Sequence, residues 1–475
     1  MRRWIPGLVT GAAVLTAVLA LRAWLLHVPP APAVRTPTPE GSVAEVRLVR
    51  SNTVVNLEGK FRAFPGVTVS PSPAWPEFRG PRRENLAAMD GPLLETWPTN
   101  GPPVLWRLDL GEGHAGPAIR DGRVYLLDYD EAREGDLLRC LALDSGKEIW
   151  QRFYRIRTKR NHGISRTIPA VDESCVVTLG PQCHVLCVTA TNGAFRWGMN
   201  LVDLYGAKVP LWWAGQCPLL DAGEAVLAPG GRALLIGVDT ATGKVNWETP
   251  NPENWEMSHS SVMILTAEGT RQFIYAAAGG IAGVAADGPQ RGQLLWQTKE
   301  FAPSVVAPSP VPLPDGRFFM TAGYGFGGSL FRVARSNDQW QATVLFRTDR
   351  RVFACEQQTP VCRDGLLYTV LPNDAGDHRQ EFACMDLDGK VRWTSGSDNR
   401  FGLGPFLAVG NKFLLLDDTG KLSLMAADGK GCRLLARADL FGGTGRDAWG
   451  PMVFVDGRLL LRDSKRLLCL DMRAK

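Results

Sequence analysis

A recurring phrase constrains this chain more than any single residue: an apolar strand, a turn built on Asp and Gly, and a second strand ending in Trp. It reads Cys140-Leu-Ala-Leu-Asp144-Ser-Gly146-Lys-Glu-Ile-Trp150, then Cys187-Val-Thr-Ala-Thr-Asn-Gly193-Ala-Phe-Arg-Trp197, then Gly237-Val-Asp239-Thr-Ala-Thr-Gly243-Lys-Val-Asn-Trp247. Looser copies run from Gly283 to Trp296, from Leu330 past Trp340 and from Cys384 to Trp393, with fragments at 424–429 and 469–472. From Cys140 to Cys469 there are seven steps with a mean of 47 residues each. Between copies lie short β-branched or aromatic runs such as Val176-Val-Thr-Leu and Phe318-Phe-Met-Thr, bounded by turn residues.

That period suits one four-stranded blade and exceeds a helical-pair repeat of about 34 residues. The Asp and Gly serve a tight hairpin, and the Trp is placed to wedge between neighbouring blades. Val104-Leu-Trp106-Arg-Leu-Asp-Leu110 reads as an outer strand without a blade, and Cys469-Leu-Asp-Met as a blade without its outer strand. The expected fold is therefore an all-β, eight-bladed propeller of four-stranded antiparallel blades, the ring closed by residues 104–110 on the last blade. Such a ring uses most of the 475 residues as one unit, and 51 Gly, 33 Pro and 15 Trp suit it.

The chain divides into 1–28, 29–74 and 75–475. Arg2-Arg3 precedes a low-polarity run from Trp4 to Leu21, long for a cleaved signal and near the roughly 20 residues that span a bilayer. By the positive-inside rule this exports the propeller, as a periplasmic domain on a membrane anchor or, after cleavage behind Ala33, as a secreted one. No Cys precedes Cys140, so no lipid-bearing Cys follows this segment, and Arg2-Arg3 lacks the surroundings of a twin-arginine signal. Residues 29–74 read as a Pro/Ser/Thr-rich tether, with Val43–Leu57 a possible extra strand pair. A net charge of +5 with dispersed basic residues gives no case for nucleic acid.

Ten cysteines in an exported chain suggest disulfides, yet Cys140, Cys187, Cys384 and Cys469 share one repeat position and read as small buried apolar residues. If Gly180-Pro-Gln is the hairpin turn, Cys175 falls opposite Cys187; Cys355 with Cys362 is the second candidate pair.

A second repeat starts each innermost strand near a Pro: Pro117, Pro169, Pro218, Pro310, Pro360, Pro405 and Pro451, with Val262 standing in once. These strands line a propeller's channel, so residues three positions earlier gather at one mouth. They include His114, Arg166, His259 and Gln357, with His162, Trp212, Trp213 and Trp449 close in sequence. These eight are the candidate binding residues; polar groups also suit a rim that meets only water. A metal on His114 and His259 is disfavoured, since they lie three blades apart with no carboxylate or thiolate at that ring position. Gly323-Tyr-Gly-Phe-Gly-Gly328 matches a dinucleotide fingerprint but joins two strands, which predicts a hairpin loop. No nucleophile with a matching base emerges.

The phrase Asp144-Ser-Gly-Lys-Glu-Ile-Trp150 resembles the repeat of pyrroloquinoline-quinone-type β-propellers, and Trp75-Pro-Glu-Phe-Arg-Gly-Pro81 resembles the start of exported bacterial members. Two branches of that superfamily compete. Resemblance to quinoprotein alcohol dehydrogenases implies a quinone between a Trp and a disulfide of adjacent cysteines, beside calcium and an Asp base; this chain has no adjacent Cys pair. Resemblance to the propeller subunit of the outer-membrane β-barrel assembly machinery implies a docking surface that binds no quinone. The expectation is a monomeric, non-catalytic scaffold that binds another envelope protein and carries no cofactor. The alternatives are a quinone- and calcium-dependent dehydrogenase with a non-standard site and a glycan- or small-ligand-binding propeller.

Overall fold

Trp and Gly meet across every full copy of the phrase in the computed structural model, which describes residues 55–89 and 91–474 together with Arg22. Eight sheets surround a central channel. Seven are consecutive in sequence (blade 1, 118–155; blade 2, 170–200; blade 3, 219–250; blade 4, 263–298; blade 5, 311–348; blade 6, 361–394; blade 7, 406–439). Blade 8 takes its three inner strands from 453–471, and Val104–Asp109 lies antiparallel on Arg466–Asp471 as its outer strand. The anchor or signal read at 1–28 lies outside the described residues, among which no helix is long and apolar enough to cross a membrane.

Within a copy, the first residue of the phrase faces the Trp: Cys140 opposes Trp150, Cys187 opposes Trp197, Gly237 opposes Trp247, Gly283 opposes Trp296 and Cys384 opposes Trp393. A bulge follows each of these pairs, which turns the outer strand and throws the indole across to the next blade. There the ring covers the turn glycine. A Cβ on Gly146 would lie 2.6 Å from the Trp106 ring, on Gly193 2.7 Å from Trp150, and on Gly243 2.6 Å from Trp197. These glycines also hold φ near +70°, so the position demands Gly on two counts.

The indole N–H depends on what faces it. Where Cys does, it reaches a carbonyl of the next blade: Trp106 to Leu143 O at 2.7 Å, Trp197 to Thr240 O at 3.0 Å, Trp393 to Asp428 O at 2.6 Å. Trp150 is the exception, its N–H unpartnered. Where Gly does, the ring settles on it and the N–H bonds its own blade, Trp247 to Glu224 at 2.8 Å and Trp296 to Gln272 at 2.7 Å. A Cβ on Gly237 or Gly283 would lie 2.1 Å from that nitrogen, which explains the exchange of Cys for Gly. In blade 5, where the copy runs past Trp340, Leu330 faces Phe346, and Phe346 covers Gly389 of blade 6.

A second contact runs around the channel at the residue before each proline. The amide of Ile168 reaches Cys217 Sγ (3.2 Å), that of Cys217 reaches Ser261 Oγ (3.0 Å), that of Ser261 reaches Ser309 Oγ (2.9 Å) and that of Ser309 reaches Thr359 Oγ1 (2.9 Å). This girdle ties blades 2 to 6 edge to edge. In blades 7, 8 and 1 the same position is Gly404, Gly450 and Gly116, where a Cβ would lie 1.7 Å from Leu416 O, 2.6 Å from the Arg462 side chain and 2.8 Å from Pro451 O.

The cysteine reading needs one correction. Cys140, Cys187, Cys384 and Cys469 are buried, but the turn after Leu179 runs to Cys183, so Val177 faces Cys187 and Cys175 faces Thr189. Cys175 and Cys187 share a face as diagonal neighbours, and all ten thiols, Cys355 and Cys362 included, are free. Residues 43–54 lie outside the described residues. Within the stretch read as a tether, Lys60–Ala63 adds a fifth strand to the outer edge of blade 1, pairing with 150–153.

The stapling predicts a measurable coupling. Gly243→Ala should cost about 2 kcal/mol or more in urea unfolding, since ring clash adds to left-handed strain. In a Trp197→Ala background the same change should cost only the strain, about 1 kcal/mol. An equal cost in both backgrounds would show that the ring does not bear on that glycine.

Candidate functional site

The channel is blocked from one side by the chain itself. Trp75 exchanges backbone hydrogen bonds with Ile119 of blade 1 (2.8 and 2.7 Å), and Val171 of blade 2 donates to Pro76 O at 2.9 Å. Arg83, paired with Glu77 at 2.6 Å, donates to Pro218 O of blade 3 (3.3 Å). Across the channel Arg79 donates to Thr359 O (2.7 Å) and Pro360 O (2.8 Å) of blade 6, and Asn85 to Phe406 O of blade 7 (2.6 Å). Leu86–Ala87 then runs parallel to the inner strand of blade 7. Residues 75–87 are therefore a plug held by five blades. Burial without a carboxylate partner for its guanidinium lowers the Arg79 pKa to about 9, which leaves it charged at pH 7.

Above the plug remains a funnel-shaped cavity of about 470 Å³, floored by Phe78 and Arg79 and walled by all eight blades. Each innermost strand begins just behind its Pro, so the residues ahead of the Pro form the wall, as the second repeat predicts. His114, His162, Arg166, Trp212, His259, Gln357 and Trp449 all line it. Trp213 does not. It sits at φ 69° in a turn closed on Pro210 O, with its indole N–H buried and unpartnered. Trp213 is thus corrected from lining residue to loop residue.

The wall is ordered by aromatic contacts. Trp212 lies 6.0 Å from His259 and stacks at 6.2 Å and 14° on Tyr324, so this pair spans the mouth from the loop ahead of blade 3 to blade 5. His114 packs 5.2 Å from Trp449 and places Nε2 2.9 Å from His162 O. Arg166 ties two loops, Nε donating to Trp212 O (2.5 Å) and Nη2 to His162 O (2.6 Å). Burial lowers the Arg166 pKa to about 10. It also pulls His114 down to about 3 and His259 to about 4, aided by the Arg166 charge, so both imidazoles are neutral at pH 7. On the blade 6 side Glu356 accepts from the Asn373 amide at 3.3 Å, and burial raises its carboxyl pKa.

Sequence reasoning missed Tyr324, Glu356, Asn373 and the floor residues Phe78 and Arg79. Tyr324 was in view as part of the Gly323–Gly328 run, which is the hairpin loop expected, between Arg317–Ala322 and Gly327–Ser336. Phe78 and Arg79 were in view inside Trp75–Pro81, where no periodicity reveals a plug.

The model of one protein family, described as outer membrane protein assembly factor BamB, matches residues 133–395, more than half of the chain. The chain belongs to that family. No curated protein matches it. Among solved structures it is similar to BamB from Moraxella catarrhalis, at 12% identity and TM-score 0.50, covering 78% of this chain and 99% of that one. It is also similar to quinohemoprotein alcohol dehydrogenase from Comamonas testosteroni, at 12% identity and TM-score 0.56, covering 85% and 81%. A europium-containing methanol dehydrogenase gives 11% identity and TM-score 0.58, covering 84% and 89%. At these identities the likeness shows the fold and leaves both branches of the superfamily standing.

The residues present do not fit the quinone cage that the dehydrogenase resemblance implies. The one cysteine on the cavity wall, Cys217, spends its thiol in the girdle, and no second Cys adjoins it. Among the described residues no three His, Cys, Asp or Glu side chains converge as metal ligands.

The neutral imidazoles predict a pH dependence. His114 has a folded pKa below its unfolded one, so unfolding takes up a proton and stability is full above pH 6.5 and lost as pH falls toward 3. Between pH 7 and pH 4.5 this one group should cost about 2.5 kcal/mol, and His114→Gln should remove that part of the slope in urea melts. An unchanged slope would show that His114 does not stay neutral in the fold.

Proposed function

We propose that this protein is a non-catalytic envelope scaffold, tethered to the cytoplasmic membrane with its propeller in the periplasm, that docks another envelope protein on the funnel face. The observation that carries the reading is the apolar crescent beside the cavity. Leu211 is 66% exposed, Tyr324 55%, Val352 43% and Phe326 40%, four of the nine large exposed hydrophobic side chains on the described surface. They are neighbours. Leu211 adjoins Trp212, which stacks on Tyr324; Phe326 follows in the same hairpin; and Gly327 of that hairpin meets the Arg350 backbone in the turn that carries Val352. Exposed apolar groups clustered at a cavity mouth mark a surface that another molecule covers.

The family match supports docking, and the misfit of the cavity to a quinone cage weighs against the dehydrogenase reading. The stapled ring and plug give a rigid platform with one open mouth, which favours recognition by preformed shape.

A photocrosslinker at Leu211 or Val352, in the full chain in its native envelope, should give an adduct of one defined mass. The same group at Phe61, exposed on the outer edge of blade 1, should not. Leu211→Asp should cut the Val352 adduct severalfold. Adducts from Phe61 alone would move the interface elsewhere, and saturable binding of pyrroloquinoline quinone with calcium and alcohol turnover would overturn the scaffold reading.

A further inference from the structure

Besides Arg79 at the floor, whose guanidinium is taken up by backbone carbonyls, two ionisable side chains face the funnel from opposite walls without a counter-charge among the described residues. Arg166 donates Nε and Nη2 to the backbone carbonyls of Trp212, Asn161 and His162, leaves Nη1 without a protein partner, and has no carboxylate in ion-pair contact among the described residues. Glu356 accepts one amide, from Asn373, and no cation among the described residues is in ion-pair contact with it; the charges that bear on it are the carboxylates of Asp374 and Asp418. Tyr324, stacked on Trp212, stands between the two groups: burial raises its hydroxyl pKa, the Glu356 charge adds to the rise and the Arg166 charge opposes it.

A partly buried charge left unpaired is costly, and structures keep one where a ligand supplies the partner. Here the two signs stand apart with an aromatic pair between them. The arrangement selects a dipolar, partly apolar occupant over a simple anion or cation. A cavity of about 470 Å³ holds a few side chains, not a folded surface. The exposed crescent beyond the mouth would stay uncovered by a small zwitterion, and this favours a longer chain.

We propose that the funnel receives an extended loop of the partner protein carrying an acidic and a basic side chain on either side of an apolar one. The carboxylate meets Arg166 Nη1, the cation meets Glu356, the apolar group lies against Trp212 and Tyr324, and the flanking chain covers Leu211, Phe326 and Val352. This rests on the docking reading and adds the chemistry of what is docked.

The test uses the full-length protein in detergent and acetylated, amidated decapeptides with a Glu-Leu-Lys core, read by fluorescence anisotropy. Gln in place of the peptide's Glu, or of its Lys, should each weaken binding about tenfold, the size of one charge-assisted hydrogen bond. Arg166→Gln should abolish the dependence on the acid alone, and Glu356→Gln the dependence on the base alone. Since Arg166 also ties two loops, its variant is compared by thermal melt; if it is unfolded, Glu356→Gln and the peptide series on the unaltered protein decide. Equal binding of all peptides overturns the proposal, as does competition by a free amino acid at the same concentration or binding to anionic vesicles in place of peptides. If Arg166→Gln and Glu356→Gln leave the Leu211 crosslink intact with no peptide preference, docking stands and the dipolar occupant falls. If the crosslink is absent from the unaltered protein, docking itself falls.

Discussion

The packing of an indole from one blade onto the turn glycine of the next is the contact from which the rest of this molecule follows. A propeller blade is a small sheet with little area to bury on its own, and the ring exists because each blade offers its neighbour a flat apolar lid and a bare backbone to receive it. Trp106, Trp150, Trp197 and Trp247 all reach a glycine in the following blade, and Phe346 does the same from blade 5. Three seams are built otherwise: Trp296 stacks on Phe318 of blade 5, Trp393 donates its N–H to Asp428 O of blade 7, and the seam from blade 7 to blade 8 relies on a large aliphatic core that continues into blade 1. Val104–Asp109 belongs to that same core through Trp106, so the strand that completes blade 8 also staples it to blade 1.

Rigidity built this way on the outside is matched on the inside by the girdle ahead of the prolines and by the plug. The girdle holds wall residues in register through the side chains of Cys217, Ser261 and Thr359, which lie on the wall, and of Ser309. The plug turns a through-channel into a blind funnel and places Phe78 and Arg79 at its floor. The cavity thereby opens on one face, where the repeat varies from blade to blade. The invariant part of the phrase builds the platform, and the varying part is what, on the docking proposal, would meet a partner.

Blade number, hairpin turns and innermost strands were legible because each is written in periodic form, in the spacing of Trp, of Asp and Gly, and of Pro. Seven of the eight residues picked at the channel mouth do line one cavity, since position in the repeat fixes position in the ring. What escaped was non-periodic. The plug is a single irregular segment whose meaning comes from carbonyls nearly 300 residues away, as with Arg79 and Thr359. The ring of blade 5, Phe346, is hidden because its hairpin is longer than its siblings and the copy runs past Trp340 to a Phe, and the expected facing of Cys175 and Cys187 slips because the turn extends to Cys183. Trp213 failed because a left-handed residue in a loop breaks the relation between sequence adjacency and direction.

Hydrogen exchange tests the central claim, that the funnel face is the working surface. The full-length protein would be compared in its native envelope and after purification. Exchange should be slowed in the envelope at 208–213, 323–327 and 349–357, while the plug at 75–87 and the outer edge strand Gln339–Thr348 exchange alike in both settings. Slowing confined to an outer edge, or identical exchange throughout, would contradict it.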